Sequence, residues 1–288
     1  MLGPRRQGRG HDFRAGRASA GGGEGMSGEI ARTFAQAKAR GEGVLVTYAM
    51  AGDPDLPRSV DVFAALVEGG ADVLEIGVAF SDPIADGPVI QGAAERALKA
   101  GSTLKRVLDE VVPAVRKRCP QTPLVIMTYV NLIMAMGEAR YAKLARERGV
   151  SGTILPDLPP EESASLRATF DAEGMDLIPL CAPTTPPARA QAIAKDGRGF
   201  VYCVSVSGVT GMRAELPPDL SQRLDLVRKA ATVPVVAGFG ISTAEQARML
   251  SAHADGVVVG SALVRAAHTE GLEAAKALCA DIKRGLRR

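Results

Sequence analysis

Three acidic residues crowd into LEIGVAFSDPIADGP, positions 74–88: Glu75 inside an apolar run, then Asp82 and Asp86 among Pro83, Gly87 and Pro88. A carboxylate set in a strand-like apolar run is costly to bury unless it is paired or put to use. A lysine on a neighbouring strand would be the structural explanation for Glu75. None of the apolar runs in this chain carries Lys or Arg in its interior, which favours chemistry. Asp86 precedes a glycine, and taken alone it reads as a turn residue. A second carboxylate on the loop that follows Glu75 changes that weighing, because two carboxyls in unlike environments can divide acid and base work. Asp82, before Pro83, reads as a residue that shapes the turn by capping backbone amides.

A second signal lies in the last third of the chain, where SGVTG, GFGIS and GSALV follow three successive apolar runs. Glycine-rich turns that open onto helix N-termini offer free backbone amides to an anion. Gly211, Phe239, Gly240, Gly260 and Ser261 are the expected phosphate-binding positions, and they imply a phosphorylated small molecule. Each turn by itself is commonplace, since glycine suits any tight strand-to-helix connection. His11, His253 and His268 lie in the N-terminal tail and in helical stretches, so neither histidine catalysis nor a metal site is expected. There is no GxSxG elbow. Asp157, Glu161 and Glu162 in PDLPPEES read as an acidic helix N-terminus rather than a cation site. Cys119, Cys181, Cys203 and Cys279 show no CxxC spacing and are expected as reduced, buried thiols.

Positioning such residues requires a scaffold, and the chain supplies an alternating one. VLVTYAM, DVLEIGV, PLVIMTYV, GTILP, DLIPLCA, FVYCVSV, VPVVAGF and DGVVVG read as strands. Stretches of helical period lie between them, among them PRSVDVFAALVEGG, YAKLARERG, EESASLRATFDAEG and TAEQARMLSAHA, several ending in Gly. About eight βα units in roughly 250 residues predict an α/β fold, a single (β/α)8 TIM barrel. An extra helix before the first strand would close the barrel floor, and extra helices are expected near the second and eighth units. The charged run RKRC is expected to be a solvated helix face. A doubly wound open sheet is the alternative, but no GxGxxG follows the first strand. In a barrel the site lies at the C-terminal ends of the strands, which places Glu75 in the lumen near the mouth.

Composition narrows the function classes. The chain has 288 residues, 46% hydrophobic and 23% charged, with 35 basic against 32 acidic side chains and a net charge of +3. That balance is ordinary for a globular protein and gives no argument for nucleic acid. Residues 1–25 form an Arg/Gly-rich extension expected to be disordered, and residues 26–288 the catalytic barrel domain. The extension reads as a product of an upstream start, with a basic tail or a transit peptide as rivals. Met26 precedes SGEIARTFAQAKARG, where Ser27 is placed to cap a helix. No secretory h-region or membrane-length apolar run occurs, so a cytoplasmic location is expected.

Together, YAMAGDPD, ADVLEIGVAFSDPIADGPVIQ, MTYVNLI, GVSGTILPDLPPEES, GRGFVYCVSVSGVTG, GFGIS and GVVVGSALV resemble the tryptophan synthase alpha subunit family over residues 43–264. The EIGVAFSDPIADGP segment is the most specific of these. The resemblance implies retro-aldol cleavage of indole-3-glycerol phosphate to indole and glyceraldehyde 3-phosphate. It makes Glu75 the residue that removes the glycerol hydroxyl proton and protonates indole C3, and Asp86 the acceptor of the indole N–H. By the same resemblance Tyr202 lies near Glu75, Tyr48 and Tyr129 line the indole pocket, and SVSGVTGMRAELPPD is a mobile lid that brings Thr210 near Asp86. An inert surface loop is the other reading of that segment. The chain departs from the commoner family pattern at Thr47, Met50 and Ala79, near the loop that contacts the partner.

The partner that the resemblance implies is a tryptophan synthase beta subunit in an α2β2 complex. Pyridoxal phosphate would be carried there, with no cofactor in this chain. Three rivals remain: a sugar-phosphate isomerase or epimerase barrel, a non-catalytic regulatory subunit, and a standalone lyase that releases free indole. The first would need a metal or lysine centre at the strand ends, and none is visible.

Overall fold

The architecture follows from nine short strands that all run the same way. A computed structural model describes residues 28–204 and 218–288. The strands are β1 Val44–Met50, β2 Val73–Gly77, β3 Leu124–Met127, β4 Val150–Ile154, β5 Asp176–Ile178, β6 Leu180–Cys181, β7 Val201–Val204, β8 Val235–Gly238 and β9 Gly256–Val259. They pair in parallel in the order β5-β4-β3-β2-β1-β9-β8-β7-β6. The two ends of that order, β5 and β6, are separated only by Pro179. Proline has no amide hydrogen for the ladder, so the expected single strand DLIPLCA splits in two. Its first half pairs with β4 and its second with β7, and the Pro179 carbonyl accepts the Tyr202 amide at 3.0 Å. The chain itself thus closes the ring, giving the expected barrel.

Strand alternation sorts side chains into two apolar layers. Val46, Val73, Val125, Ile154, Ile178, Phe200, Val236 and Val258 fill the lumen, and Ile30, Phe34 and Ala37 of the helix Glu29–Ala39 close it from below. The extra N-terminal helix is therefore a floor, as expected. The other face of the strands packs Leu45, Leu74, Ile76, Leu124 and Ile126 against the helix layer, including Phe63, Leu66, Leu108 and Phe170. Floor and lower barrel are tied by charge: Glu29 Oε2 accepts from Ser151 Oγ at 2.6 Å and from Arg116 at 3.3 Å. Arg116 also donates to the carbonyls of Pro120, Thr122 and Gly149. The RKRC run therefore divides: Lys117 and Arg118 are exposed, whereas Arg116 is a half-buried strut.

Other expectations shift in detail. The second helix of the second unit is α-helical over Leu104–Arg106 and Val112–Arg118, with a π-helical turn Val107–Val111 between them. Pro113 cannot donate to the Asp109 carbonyl and its ring would collide there, so the wider turn absorbs the proline. The third unit has an unforeseen short helix, Val130–Met136, ended by Gly137 at φ 92° before Glu138–Glu147 begins. Paired helices do occur in the second unit and in the eighth, Ser261–Thr269 and Leu272–Gly285. The fourth strand begins at Val150, two residues before the expected GTILP. All four cysteines are free and buried. Among the described residues no helix is long and apolar enough to cross a membrane. The N-terminal extension and Ser27 lie outside the described residues.

Because Phe34 seals the lumen against Phe200, with ring centroids 5.9 Å apart, Phe34→Ala should open a cavity under the barrel. Urea unfolding should report a loss of about 3–5 kcal/mol, whereas a loss within experimental error would show that the floor helix does not close the core.

Candidate active site

Glu75 takes its place by strand parity. It lies two residues after the lumen-filling Val73, so its side chain also points inward, one layer nearer the mouth. Tyr48 on β1 and Val125 on β3 are its register partners. Glu75 is 1% exposed, and its Oε2 has no hydrogen-bond partner among the described residues. That is an expensive state for a carboxyl, and a satisfied structural glutamate would not show it. No lysine among the described residues pairs with it, so the salt-bridge explanation fails.

Two glycines that the sequence pattern did not single out make room around it. A Cβ on Gly77 would lie 2.2 Å from the Tyr48 hydroxyl, and one on Gly238 would lie 2.5 Å from Cε2 of Tyr202. Glycine at these inward positions of β2 and β8 lets two tyrosine rings cross the mouth. A signal exists in the chain, since an isolated glycine inside a strand pattern marks a close approach. The Tyr48 hydroxyl reaches Met50 Sδ at 3.9 Å.

Asp86 rides on the loop after β2, and contacts from distant segments fix that loop. The Tyr129 hydroxyl, from the end of β3, accepts the Ala85 amide at 3.2 Å, and its ring packs on Phe80 at 4.7 Å between centroids. The Asp86 amide donates to the Pro83 carbonyl, and Gln91 Nε2 donates to the Asp86 carbonyl. The helix Pro88–Lys99 starts directly afterwards, held by a two-pronged Arg96–Asp53 pair at 2.7 and 2.8 Å. Asp157 corrects its expected role: both its oxygens accept the Val130 amide, so it caps the helix Val130–Met136 rather than one of its own. Glu161 pairs with Arg189. Asp82 also differs from expectation, because its side chain takes the Ser81 hydroxyl at 2.6 Å instead of backbone amides.

The electrostatics separate the two carboxyls. Burial, and then the charge of Asp86, pushes Glu75 up to about 8. Burial alone raises the half-buried Asp86 to about 6. Near neutral pH one is an acid and the other a carboxylate, a division suited to proton transfer. The phenols of Tyr48 and Tyr202 are pushed well up by burial and by the charges of both carboxyls, which places all four groups in one field. Burial also raises Tyr129, to about 12.

The late loops meet on the same rim. β9 pairs with both β1 and β8, which brings Phe239 and Gly240 after β8 beside Gly260 and Ser261 after β9. Gly240 has φ 66°, Gly260 is the N-cap of Ser261–Thr269, and a Cβ on Gly260 would come within 3.4 Å of Tyr48. Gly211, Thr210 and the rest of the expected lid up to Pro217 lie outside the described residues. His253 pairs with Asp225 at 3.0 Å on the helix layer. Among the described residues no group of three or more His, Cys, Asp or Glu is placed to hold a metal ion.

The chain is similar to known proteins over most of its length. Residues 34–284 match the family model described as tryptophan synthase alpha chain. The tryptophan synthase alpha chain of Geobacter sulfurreducens is 51% identical over 236 residues, covering 82% of this chain and 89% of that one. The alpha chain of Laribacter hongkongensis is 45% identical over 260 residues, covering 89% and 98%. Among solved structures, tryptophan synthase from Mycobacterium tuberculosis superposes with TM-score 0.84 at 36% identity, covering 91% of this chain and 100% of the other. The tryptophan synthase subunit alpha of Legionella pneumophila gives 0.82 at 36% identity, with 91% and 99% covered.

The state of Glu75 has a consequence for stability. A carboxyl whose native pKa is raised from 4.5 to about 8 favours the native state below the lower value, and that contribution is lost as pH rises through the upper one. Glu75→Gln stays neutral throughout, so its melting temperature should exceed that of the wild type by a margin that grows from about pH 5 to about pH 9. A constant margin across that range would mean that Glu75 titrates as an ordinary carboxyl.

Proposed function

The chain belongs to the tryptophan synthase alpha chain family, lyases that cleave indole-3-glycerol phosphate, and from that premise we propose how its own residues share the reaction. The observation that carries the proposal is a buried carboxyl, its Oε2 without a hydrogen-bond partner among the described residues, held at about 8 while Asp86 at the barrel mouth is held at about 6. Glu75, neutral near pH 7, gives its proton to indole C3. Asp86, ionised there, accepts the indole N–H and stabilises the cationic ring that results. Glu75, now a carboxylate, takes the proton of the glycerol hydroxyl. The bond between indole C3 and the glycerol carbon breaks, its electrons restore the indole ring, and the hydroxyl carbon becomes the aldehyde of glyceraldehyde 3-phosphate. Protons balance, and Glu75 ends as it began.

The remaining residues position the substrate. Tyr48 and Tyr129 line the indole pocket, and Tyr202 closes on Glu75 from β7. Phe239, Gly240, Gly260 and Ser261 receive the phosphate, supported by the amides at the start of the nine-residue helix Ser261–Thr269. Gly211 and Thr210 keep the roles that the family resemblance gives them.

The partner in this reading is a tryptophan synthase beta subunit in a cytoplasmic α2β2 complex, with pyridoxal phosphate in the beta chain. Support comes from the rim: Ile84, on the Asp86 loop, is 86% exposed, and Met134, in Val130–Met136, is 64% exposed. Apolar side chains displayed this openly on neighbouring mouth elements suit a docking face.

Glu75→Gln should fold and lose indole release from indole-3-glycerol phosphate by roughly 100-fold or more. Retention of activity would remove Glu75 from the chemistry. Ile84→Glu should leave basal indole release intact but weaken co-elution with the beta subunit and the rate increase that the partner brings. Undiminished co-elution would place the docking face elsewhere, and fast release without any partner would mark an independent lyase.

A further inference from the structure

Tyr48 is bounded on two sides by glycine and on a third by one pliable side chain. Its hydroxyl lies over Gly77, where a Cβ would come within 2.2 Å, and its own Cβ would be 3.4 Å from one built on Gly260. Neither of these neighbours has a side chain that can move aside. The third is Met50, two residues along the same strand and on the same face, whose Sδ lies 3.9 Å from the Tyr48 hydroxyl. A thioether sulfur is a weak acceptor, so this contact holds the phenol only loosely. Met50 is buried in one apolar cluster with Tyr48, Ile90 and Val264.

Behind Met50 lies a cavity of about 390 Å³. Buried Met50 and Val264 form its inner wall, and half-buried Ala267 with the exposed Leu272 and Arg58 form its outer one. The charged groups at its edge are engaged elsewhere: Asp53 with Arg96, Arg58 with Asp55, and Asp61 with Arg118. The space next to Met50 is therefore apolar, and a thioether side chain can enter it without stripping water from a charge. Most core side chains have nowhere to go, because interiors are packed as densely as organic crystals. Met50 combines three rotatable bonds with free space, at the one contact of Tyr48 that is able to yield.

We propose that Met50 makes the Tyr48 wall of the indole pocket compliant, so that the site accepts indole-3-glycerol phosphate carrying a small apolar substituent on its benzene ring. This rests on the lyase reading, in which Tyr48 lines that pocket. A substituent pressing on Tyr48 pushes the phenol against Met50, and Met50 turns into the cavity behind it. Glu75 and Asp86 keep their places, because neither lines the cavity. A rigid apolar wall would reject one extra methyl group by roughly 10- to 200-fold, and a yielding one relaxes that discrimination. Met50 is thus a specificity-determining residue that acts through Tyr48 and takes no part in proton transfer.

The test is kcat/KM of the full chain for indole release from indole-3-glycerol phosphate and from its derivatives methylated on the benzene ring. At least one derivative should be cleaved within about ten-fold of the parent. Ala267→Leu, which fills the cavity from the helix side, should lower the ratio of that derivative to the parent by about five-fold or more, with the parent rate changed less than about two-fold. Met50→Ile, similar in volume but stiff at χ1, should lower the same ratio. A merely destabilising change lowers both rates together and leaves the ratio where it was. Stronger discrimination against every derivative by the wild type, or a smaller fall of the ratio in Ala267→Leu, would overturn the proposal. If one variant folds poorly, the other decides by the same ratio. No release from the parent substrate would instead remove the lyase reading, and this proposal with it.

Discussion

The structure turns on the burial of one carboxyl that nothing among the described residues satisfies. Glu75 sits in the lumen one layer above Val73, with an oxygen that has no partner there. Placing it there opposes folding, since an apolar residue would fill the same layer without a desolvation penalty. In the proposed reaction, what the penalty provides is a proton held to about 8, close enough to neutrality to be given and retrieved in one turnover. The rest of the barrel makes that burial tolerable. A closed ring of parallel strands, completed across Pro179, and a floor sealed by Ile30 and Phe34 supply the surrounding core.

A raised acid is useful only beside a group that stays ionised, and the position of Asp86 depends on parts remote in sequence. Tyr129 grips the Ala85 amide, Asp157 caps the helix that begins at Val130, and Arg96 ties the following helix to Asp53. These contacts link the loops of the first four βα units into one rim. Asp86 is therefore set by a network of neutral and ionic hydrogen bonds as well as by its own turn.

Much of this is legible in the amino-acid sequence. Alternating runs predict the barrel, and a glutamate in an apolar run without a lysine to pair with points to the lumen and to chemistry. The family resemblance finds the tyrosines that share its field. The rest depends on contacts between distant segments, which no local pattern encodes. The Gly77–Tyr48 and Gly238–Tyr202 approaches leave a trace, glycines in strands, but not the identity of what comes close. The role of Asp157 is hidden because it caps a helix that begins 27 residues earlier in the chain. Arg116 looks like one charge in a solvated run, and only the fold shows that it spans the floor helix and the start of β4. The split at Pro179 is readable from proline chemistry, yet its outcome, two half-strands with different neighbours, belongs to barrel closure.

The decisive experiment is a carbon-13 NMR titration of the Glu75 carboxyl, assigned by its loss in Glu75→Gln and repeated in Asp86→Asn. The wild-type chain should show a midpoint near 8, falling when the Asp86 charge is removed yet remaining above the ordinary value of 4.5 because burial is the larger cause. A wild-type midpoint near 4.5 would contradict the proton-transfer role, since Glu75 would then be a carboxylate throughout the neutral range with no proton to give to indole C3.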